Sequence, residues 1–405
     1  MKIILPHHFL LLDKIGKDYV SQLGFDQAVI NGTIEDFSFN RVNGYIIKEN
    51  DGGKEILISP KKDWSAHNRF EHVIFSKDID NTGDGNFSKE NYKWIKHPEF
   101  REANTCQEII DSYYGSFSFK KENREHDIEG LRSSQLGGIY AALAHWQIGN
   151  NPATIVMPTG TGKTETMLSL LIAANCTKVL IVVPSDALRS QLAKKFTTLG
   201  LLKKLKIVND TALYPRVGIM KHRPSTIEDV NAFFENCNVV ITTMSVVGQI
   251  SDEIQFAISE NCSHLFIDEA HHIAANTWKK FTSVFKDKFV LQFTATPFRN
   301  DDRNIGGKII FNYPLRKAQD EGYFKRIKYH PINEYNSNEY DRAIARKAIE
   351  ILKEDLENGY NHILMARVNS ISRADQVYKI YCEYEDINPI QIHTGLTQEE
   401  QKEAR

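Results

Sequence analysis

The sequence lacks the features that mark secreted, membrane-spanning and zinc-binding proteins. Its five cysteines are odd in number and scattered, without a CxxC pair or metal-ligand spacing, so we expect buried free thiols. No apolar run reaches the roughly 20 residues of a membrane span, and the N-terminus has no small-residue cleavage site. We therefore expect a cytoplasmic chain with no membrane partner.

Neither sign of charge dominates the composition. Lys and Arg number 50 against 52 Asp and Glu, which gives a net charge of −2 and no overall basic footprint. Any nucleic-acid contact must therefore come from a local groove. The length of 405 residues predicts two or three domains, because single cores usually stop growing at roughly 250 residues.

The hydrophobic pattern divides the chain into three segments. Residues 1–125 carry short β-like runs between turn clusters and predict an N-terminal α+β domain of unknown role. Residues 126–312 alternate apolar runs with helical stretches, which predicts an α/β domain with a parallel sheet. The same pattern restarts at 313 and stops at 405, indicating an incomplete second α/β domain. Its apolar runs, which predict strands, lie at 328–332, 362–368 and 389–394, and its predicted helices at 341–359 and 371–385. The apolar runs of the middle segment are ATIVM, KVLIVVP, NVVITT, HLFID and FVLQFTAT.

A glycine-rich turn between a strand and a helix, PTGTGKT at 158–164, predicts a phosphate site. Its glycines permit backbone angles that point successive N–H groups at phosphate oxygens, and the helix start adds positive potential. Lys163 would reach the β- and γ-phosphates, and the Thr164 hydroxyl would bind Mg²⁺. The candidate ATP-binding residues here are Thr159, Gly160, Thr161, Gly162, Lys163, Thr164 and Glu165.

Met157 stands where the general P-loop pattern has a glycine. We interpret it as the last residue of the strand, outside the phosphate cradle that begins at Thr159. The loop alone leaves kinases, GTPases and motors open.

Two adjacent carboxylates follow the strand HLFID at 264–268. Asp268 is positioned to hold Mg²⁺, and Glu269 is then free to activate a water molecule. The pair therefore favours hydrolysis over phosphoryl transfer to a substrate. Downstream, Thr294 and Thr296 end another strand, and we expect their hydroxyls to bond towards His271 and couple the nucleotide site to a moving part.

The ordered motifs of residues 131–300 resemble the DEAH-type superfamily 2 helicases and translocases, close to restriction-enzyme motor subunits. The motifs are LRSSQ, MPTGTGKT, VVPSDALRSQ, TTMS, IDEAHH and TATPFR. The resemblance implies a RecA-like P-loop domain, ATP and Mg²⁺, and a nucleic-acid partner, with DNA favoured over RNA. It also implies ATP-driven movement along nucleic acid, in keeping with a role in restriction or phage defence.

Further site residues follow from the resemblance alone. Gln135 would read the adenine, assisted by Arg132. The strand-binding face would include short hydroxyls and amides suited to phosphate contacts. Its residues would be Pro184, Ser185, Arg189, Gln191, Thr242, Thr243 and Ser245.

The chain departs from the family in its second motor domain. No arginine-finger segment of the form QxxGRxxR occurs, and Arg299, Arg303 and Arg367 lie in no matching motif. Two interpretations stay open: a fragment of a longer motor, or a truncated ATP-binding switch with little hydrolysis. For residues 1–125 we expect recognition of a target or protein partner.

Overall fold

Two compact units divide the chain in the computed structural model, Met1–Phe324 and Lys325–Arg405. The structure describes residues 1–15, 18–50, 52–79, 83–89, 91–100, 102–269, 280–296, 306–393 and 395–397. The strands are β1 Lys2–Ile4, β2 His8–Ile15, β3 Asp18–Phe25, β4 Val29–Phe39, β5 Val42–Glu49, β6 Glu55–Ser59, β7 His72–Phe75, β8 Lys93–Lys96, β9 Ala153–Val156, β10 Val179–Val183, β11 Val217–Ile219, β12 Val239–Thr243, β13 His264–Asp268, β14 Phe289–Thr294 and β15 Lys308–Asn312. The helices are α1 Cys106–Tyr113, α2 Ser133–Ile148, α3 Lys163–Ala173, α4 Asp186–Thr198, α5 Ile227–Glu235, α6 Met244–Val247, α7 Asp252–Glu260, α8 Leu315–Asp320, α9 Tyr340–Glu357 and α10 Ile371–Cys382.

A nine-stranded sheet runs through the described part of the first unit. Its order is β15-β9-β14-β13-β10-β12-β11-β3-β2. From β15 to β11 neighbouring strands are parallel, whereas β3 and β2 are antiparallel additions at one edge. The five predicted strands of the middle segment are confirmed as β9, β10, β12, β13 and β14. The mixed α/β fold with a parallel sheet is therefore as predicted.

Burial on both faces explains why these strands are short continuous apolar runs. In β10, Ile181 and Val183 point into one core, which contains residues of α2, α3 and α4. Leu180 and Val182 point into a second core on the opposite face, with residues of α5 and α7. The sheet is thus covered by helices on both sides. Because its strands from β15 to β11 are parallel, their carboxyl ends lie along one edge.

A second sheet, of six strands, lies within the described residues of the N-terminal segment. Its order is β1-β4-β5-β6-β7-β8, antiparallel except between β6 and β7. Ile56 and Ile58 of β6 face one apolar cluster, and Leu57 faces another. This alternation gives the α+β segment its own cores.

The observed unit boundaries differ from those that the sequence predicts. β2 and β3, from the predicted N-terminal domain, join the large sheet through β11, with Ser21 opposite Val217. Asp18 Oδ1 holds this edge by accepting from the backbone N–H groups of Lys221 at 2.7 Å and His222 at 3.2 Å. Residues 1–125 and the parallel-sheet segment that follows them therefore belong to one compact unit.

The second boundary lies at 324/325 instead of 312/313. Tyr313 and Ala318 are buried in the core of the first unit, and Tyr323 and Phe324 pack against it. Apolar residues of this stretch therefore complete the first unit, and the chain leaves it only after Phe324.

The second unit, Lys325–Arg405, contains the two predicted helices, α9 and α10. Ala345, Ile349 and Tyr381 form its buried cluster. The three apolar runs that predict strands, at 328–332, 362–368 and 389–394, contain no strand among their described residues. Strand formation requires a paired ladder, and Ile363 on one of these runs is 92% exposed. The predicted sheet is thus not observed here.

No helix within the described residues is long and apolar enough to cross a membrane.

Candidate functional site

The strand that leads into the phosphate loop continues for one residue beyond β9. The Met157 N–H donates to the Thr294 carbonyl at 2.9 Å, and the Met157 side chain is fully buried. Met157 therefore extends the pairing of the strand with β14 and lies in the core, in agreement with its interpretation as a strand end.

The loop after Met157 has the backbone geometry of a phosphate cradle. Gly160 and Gly162 have φ values of +84° and +98°, which residues with a Cβ rarely adopt. A Cβ on Gly162 would lie 2.1 Å from Gln135 Nε2, so any other residue there would displace Gln135 in addition to adopting a strained φ. The buried Thr161 stabilises the turn, because its Oγ1 donates to the Pro158 carbonyl at 2.6 Å. Thr159 and Gly160 are exposed.

The start of α2 is attached to this loop. Gln135 Oε1 accepts from the Arg132 N–H at 2.7 Å, and Ser134 Oγ donates to the Thr161 carbonyl at 3.0 Å. The Arg132 guanidinium donates to the Gly160 carbonyl at 3.0 Å. Gln135 and Arg132, 28 residues or more from Lys163 in sequence, are thus brought to the loop together.

Helix α3 begins at Lys163 with Gly162 as its N-cap, which directs the positive end of the helix at the cradle. Thr164, next to Lys163, is half-buried in the first turn. The Glu165 carboxylate pairs with Lys195 Nζ of α4 at 2.8 Å. Glu165 thus joins α3 to α4 in this structure, and its expected nucleotide contact stays a prediction.

The two carboxylates after β13 lie against the loop. Lys163 Nζ and Glu269 Oε1 are 2.7 Å apart, with both side chains largely buried. Glu269 has φ = +50°, an uncommon left-handed conformation that turns the chain sharply at the end of the strand. The structure thus joins two separately predicted motifs in one ion pair.

Asp268 is the most electrostatically perturbed carboxylate near the loop. Burial, with the neighbouring Glu269 charge, raises the pKa of Asp268 to about 6, against the opposing effect of Lys163. Its Oδ1 accepts from the Glu269 N–H at 3.1 Å. Asp268 is therefore largely ionised at neutral pH and gains a proton in mild acid.

The strand end at Thr294 and Thr296 is closed by a local turn. Thr294 Oγ1 donates to the Thr296 carbonyl at 2.8 Å, and the Thr296 N–H bonds back to Thr294 Oγ1 at 3.2 Å. Their expected partner, His271, lies outside the described residues. The predicted coupling contact stays a prediction.

The residues expected to contact nucleic acid fall into an exposed and a buried group. Ser185, Gln191 and Ser245 are exposed, and Pro184 is half-buried beside them in sequence. Ser185 also caps α4 by accepting from the Leu188 N–H at 3.4 Å. These positions are accessible to a strand.

The remaining three positions are buried, and this corrects their expected direct role. Arg189 Nη1 and Thr242 Oγ1 both donate to the Met220 carbonyl, at 3.4 and 3.1 Å, and Arg189 is 5% exposed. Thr243 is buried and shares a 2.8 Å hydrogen bond with Ser245. These three side chains are thus buried and hydrogen-bonded within the protein in this structure.

Sequence reasoning missed one group of residues at the loop. Tyr323 and Phe324 approach Arg132 and Gly160 from a distant part of the chain. No spacing or motif in the sequence relates these residues, and only tertiary packing brings them together.

Comparisons with known proteins support the motif reading. The sequence model of a family described as "Type III restriction enzyme, res subunit" matches residues 128–299. No curated protein matches the sequence.

Several solved structures are similar at low identity. A nuclease-deletion mutant of the Type ISP restriction-modification enzyme LlaGI, in complex with a DNA substrate mimic, is 19% identical with a TM-score of 0.34, covering 56% of this chain and 23% of its own. The UvsW helicase from Bacteriophage T4 is 15% identical with a TM-score of 0.33, covering 52% and 69%. The Mycobacterium smegmatis helicase Lhr, bound to ssDNA and AMP-PNP, is 16% identical with a TM-score of 0.39, covering 67% and 39%. This chain thus spans about a quarter of the LlaGI chain and about two fifths of the Lhr chain.

Proposed function

We propose, from the premise that residues 128–299 are a superfamily 2 motor segment of the restriction-subunit family, that the chain hydrolyses ATP to move along or remodel DNA. The family description, a restriction-enzyme subunit, supports DNA over RNA and a role in restriction of foreign DNA. Recognition of a target or partner by residues 1–125 stays a prediction.

The observation that carries this proposal is the Lys163–Glu269 ion pair. A phosphate-loop lysine and a strand-end glutamate, far apart in sequence, lie 2.7 Å apart beside two glycines with positive φ. Asp268, adjacent to Glu269, has its pKa raised to about 6 by burial and by that neighbour. Perturbed carboxylates next to a phosphate cradle are typical of hydrolytic sites.

The protein groups divide the chemistry among them. The backbone of Gly160–Gly162 and the start of α3 bind phosphate oxygens, and Lys163 neutralises charge on the β- and γ-phosphates. When phosphate replaces Glu269 as the partner of Lys163, the Glu269 carboxylate is released. It then orients a water molecule and accepts a proton from it. The hydroxyl of Thr164 and the carboxylate of Asp268 are hard oxygen donors of the kind that Mg²⁺ prefers. Bound there, Mg²⁺ would stabilise the charge on the transferring phosphoryl group.

In this proposal the exposed residues Ser185, Gln191 and Ser245 contact the nucleic acid. Short hydroxyl and amide groups suit hydrogen bonds to phosphates, which position a strand without reading its sequence. A net charge of −2 offers no general attraction for a polyanion, so such contacts must be local.

The test is ATP turnover by the complete chain, measured with Mg²⁺ alone and with single-stranded DNA, double-stranded DNA or RNA. We expect stimulation by DNA, and a loss of about 100-fold or more in Lys163→Ala and in Glu269→Gln. Lys204→Ala, at an exposed lysine of the same unit, serves as the control and should match the wild type.

Three results would contradict parts of the proposal. Unchanged turnover in Lys163→Ala or Glu269→Gln would place hydrolysis elsewhere. Stimulation by RNA but not by DNA would overturn the assignment of the polymer. ATP binding without turnover under every condition would favour a nucleotide-controlled switch over a motor.

A further inference from the structure

The stretch Tyr313–Phe324 returns to the phosphate loop after β15, and the proposed function does not use it. Helix α8 anchors it through Ala318, which is fully buried. At its end, Phe324 lies so close to the loop that a Cβ on Gly160 would be 3.1 Å from its Cζ. An aromatic residue thus borders the exposed part of the cradle.

Next to Phe324, the ring of Tyr323 interacts with two guanidinium groups. Arg124 Cζ is 4.3 Å and Arg132 Cζ is 4.8 Å from the ring centroid. Arg132 also donates to the Gly160 carbonyl at 3.0 Å. Tyr323 therefore packs against the guanidinium of Arg132, which is itself hydrogen-bonded to the phosphate loop.

The position of Tyr323 is fixed by hydrogen bonds. Its hydroxyl donates to the Glu122 carboxylate. The neighbouring Glu321 carboxylate accepts from Ser133 Oγ and, at 2.8 Å, from the Tyr313 hydroxyl. These bonds tie the stretch to the first residue of α2, one position after Arg132.

The surroundings of Arg132 suit a nucleotide base. A guanidinium is planar and stacks on aromatic faces while its edge donates hydrogen bonds. Lys163 is held by Glu269 at the hydrolytic part of the loop, whereas Arg132, Tyr323 and Phe324 gather at Gly160, with Gln135 behind Gly162. A nucleotide whose phosphates lie in the loop would extend its base towards this second group.

We propose that Tyr323 is a positioning residue of the ATP site, which holds the Arg132 guanidinium at Gly160 so that it can stack on and bond to the base. This inference rests on the proposed function, because it requires a nucleotide in the loop. It assigns the base side of the site to a stretch of chain that lies outside the matched motor segment.

The test compares two ligands of the full chain by titration calorimetry, the non-hydrolysable analogue AMP-PNP and inorganic tripolyphosphate, each with Mg²⁺. Tripolyphosphate occupies the loop but has no base. We expect Tyr323→Leu to weaken AMP-PNP binding about tenfold and to leave tripolyphosphate binding within twofold of the wild type. Tyr323→Phe keeps the ring and should bind AMP-PNP within about threefold of the wild type.

The matched control is Tyr114→Leu, at a tyrosine of the same unit that is 67% exposed. It should bind both ligands like the wild type. Equal losses for both ligands in Tyr323→Leu would overturn the inference, since Tyr323 would then only support the loop. Unchanged AMP-PNP binding would overturn it as well. A wild-type chain that binds neither ligand would overturn the proposed function itself.

Should Tyr323→Leu fail to fold, Arg132→Ala and its combination with Tyr323→Phe test the same contact. Arg132→Ala should selectively weaken AMP-PNP, and adding Tyr323→Phe should then change little, because the cation on which the ring acts is gone. Equal weakening of tripolyphosphate in Arg132→Ala would overturn the inference.

Discussion

At the scale of single residues, the Lys163–Glu269 ion pair defines how the candidate ATP site is arranged before a nucleotide binds. Its 2.7 Å contact occupies the lysine that we propose binds phosphate, and Glu269 is held in a left-handed conformation. Phosphate must therefore compete with Glu269 for the same ammonium group.

This competition predicts opposite effects of Glu269→Gln on binding and on turnover. The neutral amide no longer holds Lys163 as an ion pair, so AMP-PNP should bind as tightly as to the wild type or up to about tenfold tighter. Hydrolysis should be lost because no carboxylate remains to accept the proton of water. Titration calorimetry measures the first effect, and weaker binding by the variant would show that Glu269 does not compete for Lys163.

Burial of the Asp268 carboxylate is expected to lower the free energy of unfolding in a pH-dependent way. Its folded-state pKa, raised to about 6 by burial and by Glu269, lies above the ordinary value of 3.8. The folded state therefore binds more protons between these values, and the stability contributed by the neutral carboxyl is lost as pH rises through about 6. Asp268→Asn should raise the free energy of unfolding at pH 7.5 by about 1–3 kcal/mol while abolishing Mg²⁺-dependent turnover.

Urea unfolding at pH 4.5 and pH 7.5 measures this effect. At pH 4.5, where the carboxyl is mostly protonated, variant and wild type should differ little. The exposed Asp287→Asn provides a control with the same charge change. Equal or lower stability of Asp268→Asn at pH 7.5 would show that Lys163 compensates the buried charge fully.

At the scale of elements, β13 carries a buried histidine at its start. His264 stacks on Phe289 with ring centroids 5.0 Å apart and meets Trp146 edge-on at 5.0 Å. Burial lowers the pKa of His264 to about 4. An apolar setting thus keeps the imidazole neutral at the entry to the strand that delivers Asp268.

Because buried His264 resists protonation, acid should lower the free energy of unfolding of the protein. The unfolded state takes up a proton near pH 6.5 and the folded state only near 4, so stability falls as pH drops across that interval. His264→Phe should reduce the loss of unfolding free energy between pH 7 and pH 4.5 by about 1–3 kcal/mol. Urea unfolding at both values measures it, with His330→Phe at an exposed histidine as the control. An unchanged loss would show that other groups dominate acid unfolding.

The parallel strands were predictable because both of their faces are buried, which leaves continuous apolar runs such as VLIVV in β10. The Gly160–Gly162 loop and the carboxylates after β13 were predictable because their chemistry depends on local spacing. The addition of β3 to β11 was not, since its register, Ser21 opposite Val217, depends on contacts remote in sequence. For the same reason the contact of Tyr323 with Arg132 was not predictable from the sequence. The burial of Arg189 was not predictable either, because its guanidinium donates to the Met220 carbonyl, which belongs to no motif.

At the scale of the whole molecule, all the described residues of the candidate ATP site lie in the first unit. The loop, Gln135, Glu269 and Tyr323 all lie within Met1–Phe324. Tyr313 is 2% exposed and Ala318 is fully buried, so the stretch after β15 belongs to the core of this unit.

Two shortened chains distinguish the observed boundary from the one that the sequence predicts. Residues 1–324 should fold and bind AMP-PNP within about threefold of the full chain, because the site and its core are intact. Residues 1–312 should be less stable by more than about 3 kcal/mol and bind the analogue poorly, since Tyr313, Ala318 and Tyr323 are missing. Thermal unfolding and calorimetry measure both effects, and equal behaviour of the two chains would contradict the boundary at 324/325.

The antiparallel edge of the large sheet has a consequence for biosynthesis. Asp18 and Lys221, which close that edge, are 203 residues apart. At translation rates of about 5–20 residues per second, β3 leaves the ribosome about 10–40 s before β11 exists to pair with it. β2 and β3 pair with each other within a short stretch of chain, and the apolar Leu11 of β2 is 62% exposed even in the finished fold. We expect β2 and β3 to join the sheet only after β11 is synthesised, and until then the unpaired edge of this hairpin is prone to aggregation.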